Sequence, residues 1–450
     1  MLDLFAYLNC SHSPTVEDAW QLSGHTQPDG YTDIAFWTEL AELLEDGGFR
    51  GMFFADAYNV ANNYQGEIAP TVRHGEQLPE NDPLPLLSAL AAVTERIGLV
   101  ATASTSLYPP YLLAKKLSTI DDLTDGRLGW NIVTSAGQLE FENVVGEYIA
   151  HDERYEQADE FMKICYALWE ESWEEGAVLQ DAETGTFADP NAVSFINHDG
   201  PTYSVPGPHM CAPTPQRTPV LFQAGQSDSG RAFATRHAEA IFSFHLSCGE
   251  FRSYAREVRA EMRSSNRDRE QYRLYPAVTP YVASTTAAAE RFHQDVVEAI
   301  APETGLVRLS NHLNHDYSQY DTDARLEAID ADGIRGAVQA FITDDRSWTV
   351  GEAAIRYARY PTAELVGTPT TVANKLEQWK DAGADGFIFM GPAVPRTFRA
   401  VCTKLIPELR ARGHVLSKDA LEHSQQQTLR EQLFGTSRLP DSHFERENGK

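Results

Sequence analysis

The chain has 450 residues, 42% hydrophobic and 23% charged, a composition that supports a globular protein with a substantial core. Asp and Glu number 65 against 37 Lys and Arg, and the formal net charge of −28 argues against nucleic acid or an anionic membrane as a partner. Only eight of the basic residues are Lys, and an acidic, Lys-poor chain fits a high-salt cytoplasm, where screening relieves self-repulsion.

In chain order the pattern alternates strand and helix. Residues 2–8 read as a strand. Residues 32–46 read as a helix, with Ile34, Trp37, Leu40, Leu43 and Leu44 at helical spacing and Gly47-Gly48 as its stop. Strands follow at 51–55, 97–103 and 127–133, separated by helices at 85–95 and 111–123, and a long acidic amphipathic helix covers 152–175. A Pro-rich excursion occupies about 176–218. Strand–helix pairs resume at 219–223 with 227–237, 240–244 with 249–264, and 272–283 with 285–300. A second irregular excursion, about 301–368, has the position of a lid. Helix 369–382, strand 386–390 and helix 397–412 complete the pattern, and the polar residues 414–450 read as a peripheral arm. Eight strands, each followed by a helix, predict an α/β fold of (β/α)8 barrel type over residues 1–413, with insertions after the fourth and seventh strands. Continuous apolar runs such as Met52-Phe53-Phe54 suit parallel strands covered on both faces. An open parallel sheet is the alternative. No apolar run approaches the roughly 20 residues of a membrane span. The first four residues lack a signal peptide's basic region, and five scattered Cys without a Cys-x-x-Cys suit a reducing cytoplasm.

Chemistry in such barrels sits where strands end. The first strand runs into Asn9, Ser11 and His12, the second into Asp56, the third into Thr102, Ser104 and Thr105, and the fourth carries Asn131 and ends in Thr134-Ser135. Asp56 is the one carboxylate among these ends, so a glycosidase pair is missing. There is no His-Glu-x-x-His, and His312 and His315 fall in an irregular stretch, so no metal site is expected. Gly225-Gln226-Ser227-Asp228-Ser229 lacks the final glycine of a nucleophile elbow, and Arg231-Ala232 replaces the Lys-Ser/Thr of a phosphate-binding Walker loop. Neutral donors without acids or nucleophiles suggest that a cofactor carries the reaction. Gly225 and Ser227 stand where a strand stops and a helix begins, a position whose free amides suit a phosphate. His151 and Tyr155, four apart on one helix face, are placed to join them.

These pieces together resemble one family. Gly126-Arg127-Leu128-Gly129-Trp130-Asn131-Ile132-Val133-Thr134-Ser135 is similar to the signature of bacterial-luciferase-like flavin monooxygenases, in the branch of nitrilotriacetate monooxygenase component A, EDTA monooxygenase and dibenzothiophene-sulfone monooxygenase. His151–Tyr155, Gln223–Ser227, Tyr108-Pro109-Pro110-Tyr111 and Ala384–Phe387 follow in the family's order. The resemblance implies a barrel enzyme that takes reduced FMN from a separate NAD(P)H:flavin reductase. With molecular oxygen it would oxidise a small organic substrate through a flavin hydroperoxide, and the chain would form a homodimer or homotetramer. It places Asp56, Thr102, Ser104 and Asn131 near the flavin ring, and His151, Tyr155, Gly225 and Ser227 at its phosphate. His12 matches a histidine of the sulfone-cleaving relatives and is a candidate for proton transfer or for pocket lining. A deazaflavin-dependent hydride-transfer enzyme and a non-catalytic flavin-binding protein are the alternatives. The stretch after Asn9 and the 59–82 loop depart from the relatives, which leaves the substrate open.

Overall fold

The strand pattern closes on itself. A computed structural model describes residues 1–13, 15–326, 347–422, 426–440 and 443. In chain order the strands are β1 (Asp3–Asn9), β2 (Gly51–Ala55), β3 (Gly98–Ser104), β4 (Leu128–Val133), β5 (Val178–Asp181), β6 (Thr186–Ala188), β7 (His198–Asp199), β8 (Ser204–Val205), β9 (Val220–Ala224), β10 (Ala240–Phe244), β11 (Arg273–Val282), β12 (Ala363–Gly367) and β13 (Gly386–Met390). Eight of them, β1–β2–β3–β4–β9–β10–β11–β13, pair in parallel as a ring, and β13 returns to β1 through Asp3↔Gly386 to Tyr7↔Met390. All eight strands expected from the sequence are the strands of this barrel. Between β4 and β9 lie two small antiparallel hairpins, β5–β6 and β7–β8.

The stretch 301–368 is more ordered than its sequence suggests. It holds the helices Pro302–Leu313 and Val350–Tyr357, and β12, which pairs with Val278–Val282 of β11. Gly305 permits the two helices to cross closely, since a Cβ there would lie 2.6 Å from the Ala354 backbone. Residues 327–346 of the expected lid lie outside the described residues.

Side chains of a strand alternate between its two faces, and the ring sorts them accordingly. Phe5, Phe53, Val100, Phe222, Phe242, Tyr275 and Ile388 form one buried cluster inside the barrel. Leu4, Met52, Phe54, Leu99, Trp130 and Leu221 join a second cluster with the surrounding helices. Inner aromatic rings meet edge to face, Phe5 with Phe222 at 5.3 Å and Phe53 with Phe242 at 5.0 Å, so the lumen is a packed core. The same alternation carries Asn9, Thr102, Ser104 and Asn131 onto the inner side near the C-terminal strand ends. Outside, Asp33 caps the helix Ile34–Gly47 by accepting from Ala35 N, and Gly48 (φ 97°) ends it.

The C-terminal arm is not peripheral along its whole length. The helix Leu429–Phe434 closes the N-terminal end of the barrel, with Leu429 and Leu433 joining the inner cluster. Gly98 leaves room for this, because a Cβ there would meet Leu429 Cδ1 at 2.6 Å. Arg430 Nε and Nη2 donate to Glu239 at 2.8 and 2.9 Å, and its backbone N–H donates to Gln216 Oε1 at 3.0 Å. Two leucines four apart in a polar tail are too short a signal to reveal a plug.

Candidate active site

The C-terminal ends of the barrel strands form two connected regions. The first is built on β9. Its chain leaves the barrel at Gly225, and Ser227 caps the helix Asp228–His237 by accepting from Gly230 N at 3.1 Å. The Ser227 hydroxyl proton stays available to donate outward. A Cβ on Gly230 would sit 2.8 Å from Ser227 Oγ and 3.2 Å from Tyr155 OH, so the two hydroxyls converge on a glycine that keeps the helix end open. Tyr155 comes from the helix His151–Tyr166, and the His151 ring lies 5.3 Å from the Tyr155 ring. His151 is half exposed at this edge, with Nδ1 2.9 Å from Asp152 Oδ1. Hydroxyls, free amides and the positive end of a helix at one point suit a phosphate. Gly225 also has a packing task. Its Cβ would lie 3.2 Å from the Ala234 Cβ, and its carbonyl accepts from Tyr254 OH at 2.6 Å, so it serves the close packing of strand and helix.

The second region lies over β1–β4. Asn131 Nδ2 donates to Thr102 Oγ1 at 2.8 Å, and Thr102 donates in turn to Phe54 O at 2.8 Å, which fixes the amide on the inner wall. Asn131 Oδ1 and Asn9 Oδ1 are buried without a donor. Buried amide oxygens of this kind are costly unless a partner arrives, and two on one wall fit a ring that carries N–H groups. Ser104 accepts from Ser135 Oγ at 2.9 Å and from Ser106 N at 3.2 Å, which leaves its own hydroxyl proton to donate. Ser135 itself holds a left-handed backbone (φ 54°) at the end of the signature, a strained conformation for a side-chain-bearing residue.

The strand ends read as poor in carboxylates, but the loops bring more. Glu140 accepts from Ser135 Oγ at 2.9 Å, and Glu80 accepts from Asn9 Nδ2 at 2.7 Å. Asp56, at the end of β2, is pushed up to about 9 by burial and then by Glu80 and Asp82. Both ring nitrogens of His12 are buried without a partner, and burial lowers its pKa, so the imidazole is neutral. His12 packs on Gly75, where a Cβ would lie 2.8 Å from Nε2. His312 is likewise no isolated loop histidine, since it lies on the helix Pro302–Leu313, partly buried, with Nε2 3.4 Å from Glu76 Oε1.

The helix Pro302–Leu313 is tied to the 59–82 loop over this mouth. Asn63 N donates to Asn311 Oδ1 at 3.1 Å, Asn311 Nδ2 donates to Glu76 Oε2 at 2.9 Å, and Thr304 Oγ1 lies 2.9 Å from His74 Nδ1. An open groove of about 510 Å³ approaches from the side, lined by Val60, Ile68, Ala69 and Leu139. Among the described residues no group of His, Cys, Asp and Glu could hold a metal ion, and no helix is long and apolar enough to cross a membrane.

The model of the luciferase-like monooxygenases matches residues 14–386. The chain belongs to that family. It is an enzyme, a monooxygenase, as the relatives agree. Dimethyl-sulfide monooxygenase of Hyphomicrobium sulfonivorans is 37% identical over 417 residues, covering 92% of this chain and 86% of its own. Long-chain alkane monooxygenase of Geobacillus thermodenitrificans (strain NG80-2) is 36% identical over 425 residues, 92% of this chain and 90% of its own. A crystal structure of long-chain alkane monooxygenase superposes with a TM-score of 0.89 at 33% identity, covering 98% of both chains. A riboflavin lyase crystallised with modified FMN and riboflavin gives the same TM-score at 30% identity, again over 98% of both chains.

Proposed function

We propose that this monooxygenase is the oxygenase of a two-component system. It would use FMN, supplied in reduced form by a separate NAD(P)H:flavin reductase, to oxidise a small uncharged organic molecule with molecular oxygen. The observation that carries the reading is the convergence of Ser227 Oγ, Tyr155 OH and the open helix end at Gly230, a cradle for a phosphate monoester. The unpaired oxygens of Asn9 and Asn131 lie on the inner wall of the same mouth and fit the ring end of that cofactor. Bound reduced FMN would supply the electrons that activate oxygen.

The chain's own residues then do three things. Ser227, Tyr155, His151 and the amides of the helix end hold the phosphate. Asn131, oriented by Thr102, accepts from the ring, and Asp56 stands at the next strand end. The helix Pro302–Leu313, tied to the 59–82 loop, keeps water from the reacting atoms. Neutral His12 is placed to accept a proton at Nε2 or Nδ1. The apolar groove favours an uncharged substrate over an aminopolycarboxylate, in keeping with relatives that act on dimethyl sulfide and long-chain alkanes.

Anaerobic titration with reduced FMN, followed by admission of oxygen with a panel of thioethers and alkanes, tests this. Saturable binding and substrate-dependent oxygen uptake are expected. Failure to bind reduced FMN alongside tight binding of a deazaflavin would replace this reading with hydride transfer.

A further inference from the structure

The 59–82 segment folds back onto β1 and brings a residue that no strand-end pattern points to. Ser11 and Glu80 face each other as an isolated antiparallel bridge, and Asn81 N donates to Cys10 O at 2.8 Å. Glu80 is therefore held at the C-terminal end of β1. Asp56 ends β2, the neighbouring strand, where Ala55 is in register with Asn9. Asn9 donates through Nδ2 to Glu80 Oε1 at 2.7 Å while its own Oδ1 stays unpaired.

What surrounds the two carboxyls is acidic or weakly polar from every side. Asp82 faces Asp56 from the N-cap of the helix Pro83–Ala91 and Glu140 from the helix Gln138–Val144, Glu76 faces Glu80 from the same loop, and the Cys10 thiol faces both from the extension of β1. Tyr58 approaches Asp56 and is hydrogen-bonded to Tyr108 at 2.6 Å. Arg308 stands behind Glu76, 3.9 Å from its Oε1 and stacked 4.4 Å over the Tyr360 ring. Burial and crowding of like groups both disfavour carboxylate charge. Glu80 is pushed up to about 8, by burial first, and Asp56 to about 9, so both carry protons at neutral pH.

We propose that Glu80, together with Asp56, controls reduced-flavin binding at this site: as neutral acids the two keep the β1–β2 wall open to the anionic reduced flavin, and as carboxylates they repel it. The inference rests on the FMN reading. The β9 cradle takes the phosphate whatever the state of this wall, so the acids act on the ring end. A neutral acid can donate a hydrogen bond to a ring oxygen or nitrogen. An ionised one loses that proton and adds a like charge in a poorly solvated place, on the order of a tenfold penalty or more.

The test is an anaerobic titration of the full chain with reduced FMN at fixed ionic strength from pH 6.5 to 10. The Kd should stay level to about pH 7.5 and then rise at least tenfold by pH 10. Glu80→Gln, which keeps the shape and the Asn9 contact but cannot ionise, should bind as wild type at pH 7 and show a shallower rise. Glu80→Gln with Asp56→Asn should abolish the rise. A Kd that does not change with pH in the wild type, or a rise unaltered in Glu80→Gln, overturns the proposal. No binding at any pH overturns the FMN reading and the proposal with it. The wild-type profile decides without relying on any variant to fold.

Discussion

At the floor of the barrel every side-chain polar atom of Arg430, Glu239 and Gln216 has a partner, whereas at the mouth Asn9, Asn131 and His12 keep buried atoms without one. The floor goes further: Gln216 Nε2 donates to Asp121 Oδ1 at 2.7 Å, and Asp121 Oδ2 accepts from Thr214 Oγ1 at 2.6 Å. Both clusters lie on the same barrel, and Asn9 and Asn131 are as deeply buried as Glu239. The difference is what each is for. A satisfied network holds the chain together, and an unsatisfied one waits for a ligand. Stability should therefore be concentrated below and sacrificed above.

The largest expected effect tests the floor. Arg430→Ala leaves the Glu239 carboxylate buried without its cation and should cost about 3–5 kcal/mol in denaturant unfolding. Flavin affinity of the molecules that stay folded should not change. If unfolding is unaffected, the floor is not the stabilising end.

The next effect has the opposite sign and belongs to the mouth. Unfolded Asp56 loses its proton near pH 4, but folded Asp56 holds it to about 9, so its contribution to stability falls as pH rises between those values. Asp56→Asn should therefore stabilise the protein at pH 8, by about 1–3 kcal/mol after allowance for partial exposure, and leave stability near pH 4 unchanged. Equal stability of the two proteins across this range would show that the mouth carries no such cost.

Within the mouth, Ser227→Ala removes a hydroxyl donor to phosphate and should weaken FMN binding by about 1–2 kcal/mol. The lost N-cap should cost about 1 kcal/mol of stability as well. Unchanged affinity would break the phosphate assignment while leaving the cap intact. The smallest effect is global. With a net charge of −28, screening by molar salt should raise the unfolding temperature and improve FMN affinity a few-fold, because FMN is an anion and would approach an acidic surface. A fall in both on adding salt would remove the high-salt reading and leave the flavin reading standing.

How much of this was legible in the sequence follows from the range of each signal. The eight barrel strands are apolar runs bounded by turns, and the signature 126–135 is contiguous, so Thr102 and Asn131 could be placed on one inner wall by counting alternate residues. The β9 cradle was legible for the same reason, since Ser227 precedes its helix by one position. Glu80 was not, because only the fold-back of the 59–82 loop onto Cys10 and Ser11 brings it to the end of β1. β12 was hidden because Ala363–Gly367 carries Glu364 and alternates in burial, so it shows no continuous apolar run. The Ser135 contact to Ser104 was not legible, because it depends on the left-handed turn after β4.

The plug at the floor also bears on the order in which the protein can be made. β1 to β13 are complete by Met390, yet Glu239, buried beneath the barrel, meets its cation only when Arg430 has been added. A nascent chain stopped between those points has all its barrel strands and an open, charged floor. The last helix among the described residues thus acts as a closure for structure laid down much earlier, so the barrel can reach its full stability only after Leu429–Phe434 has left the ribosome.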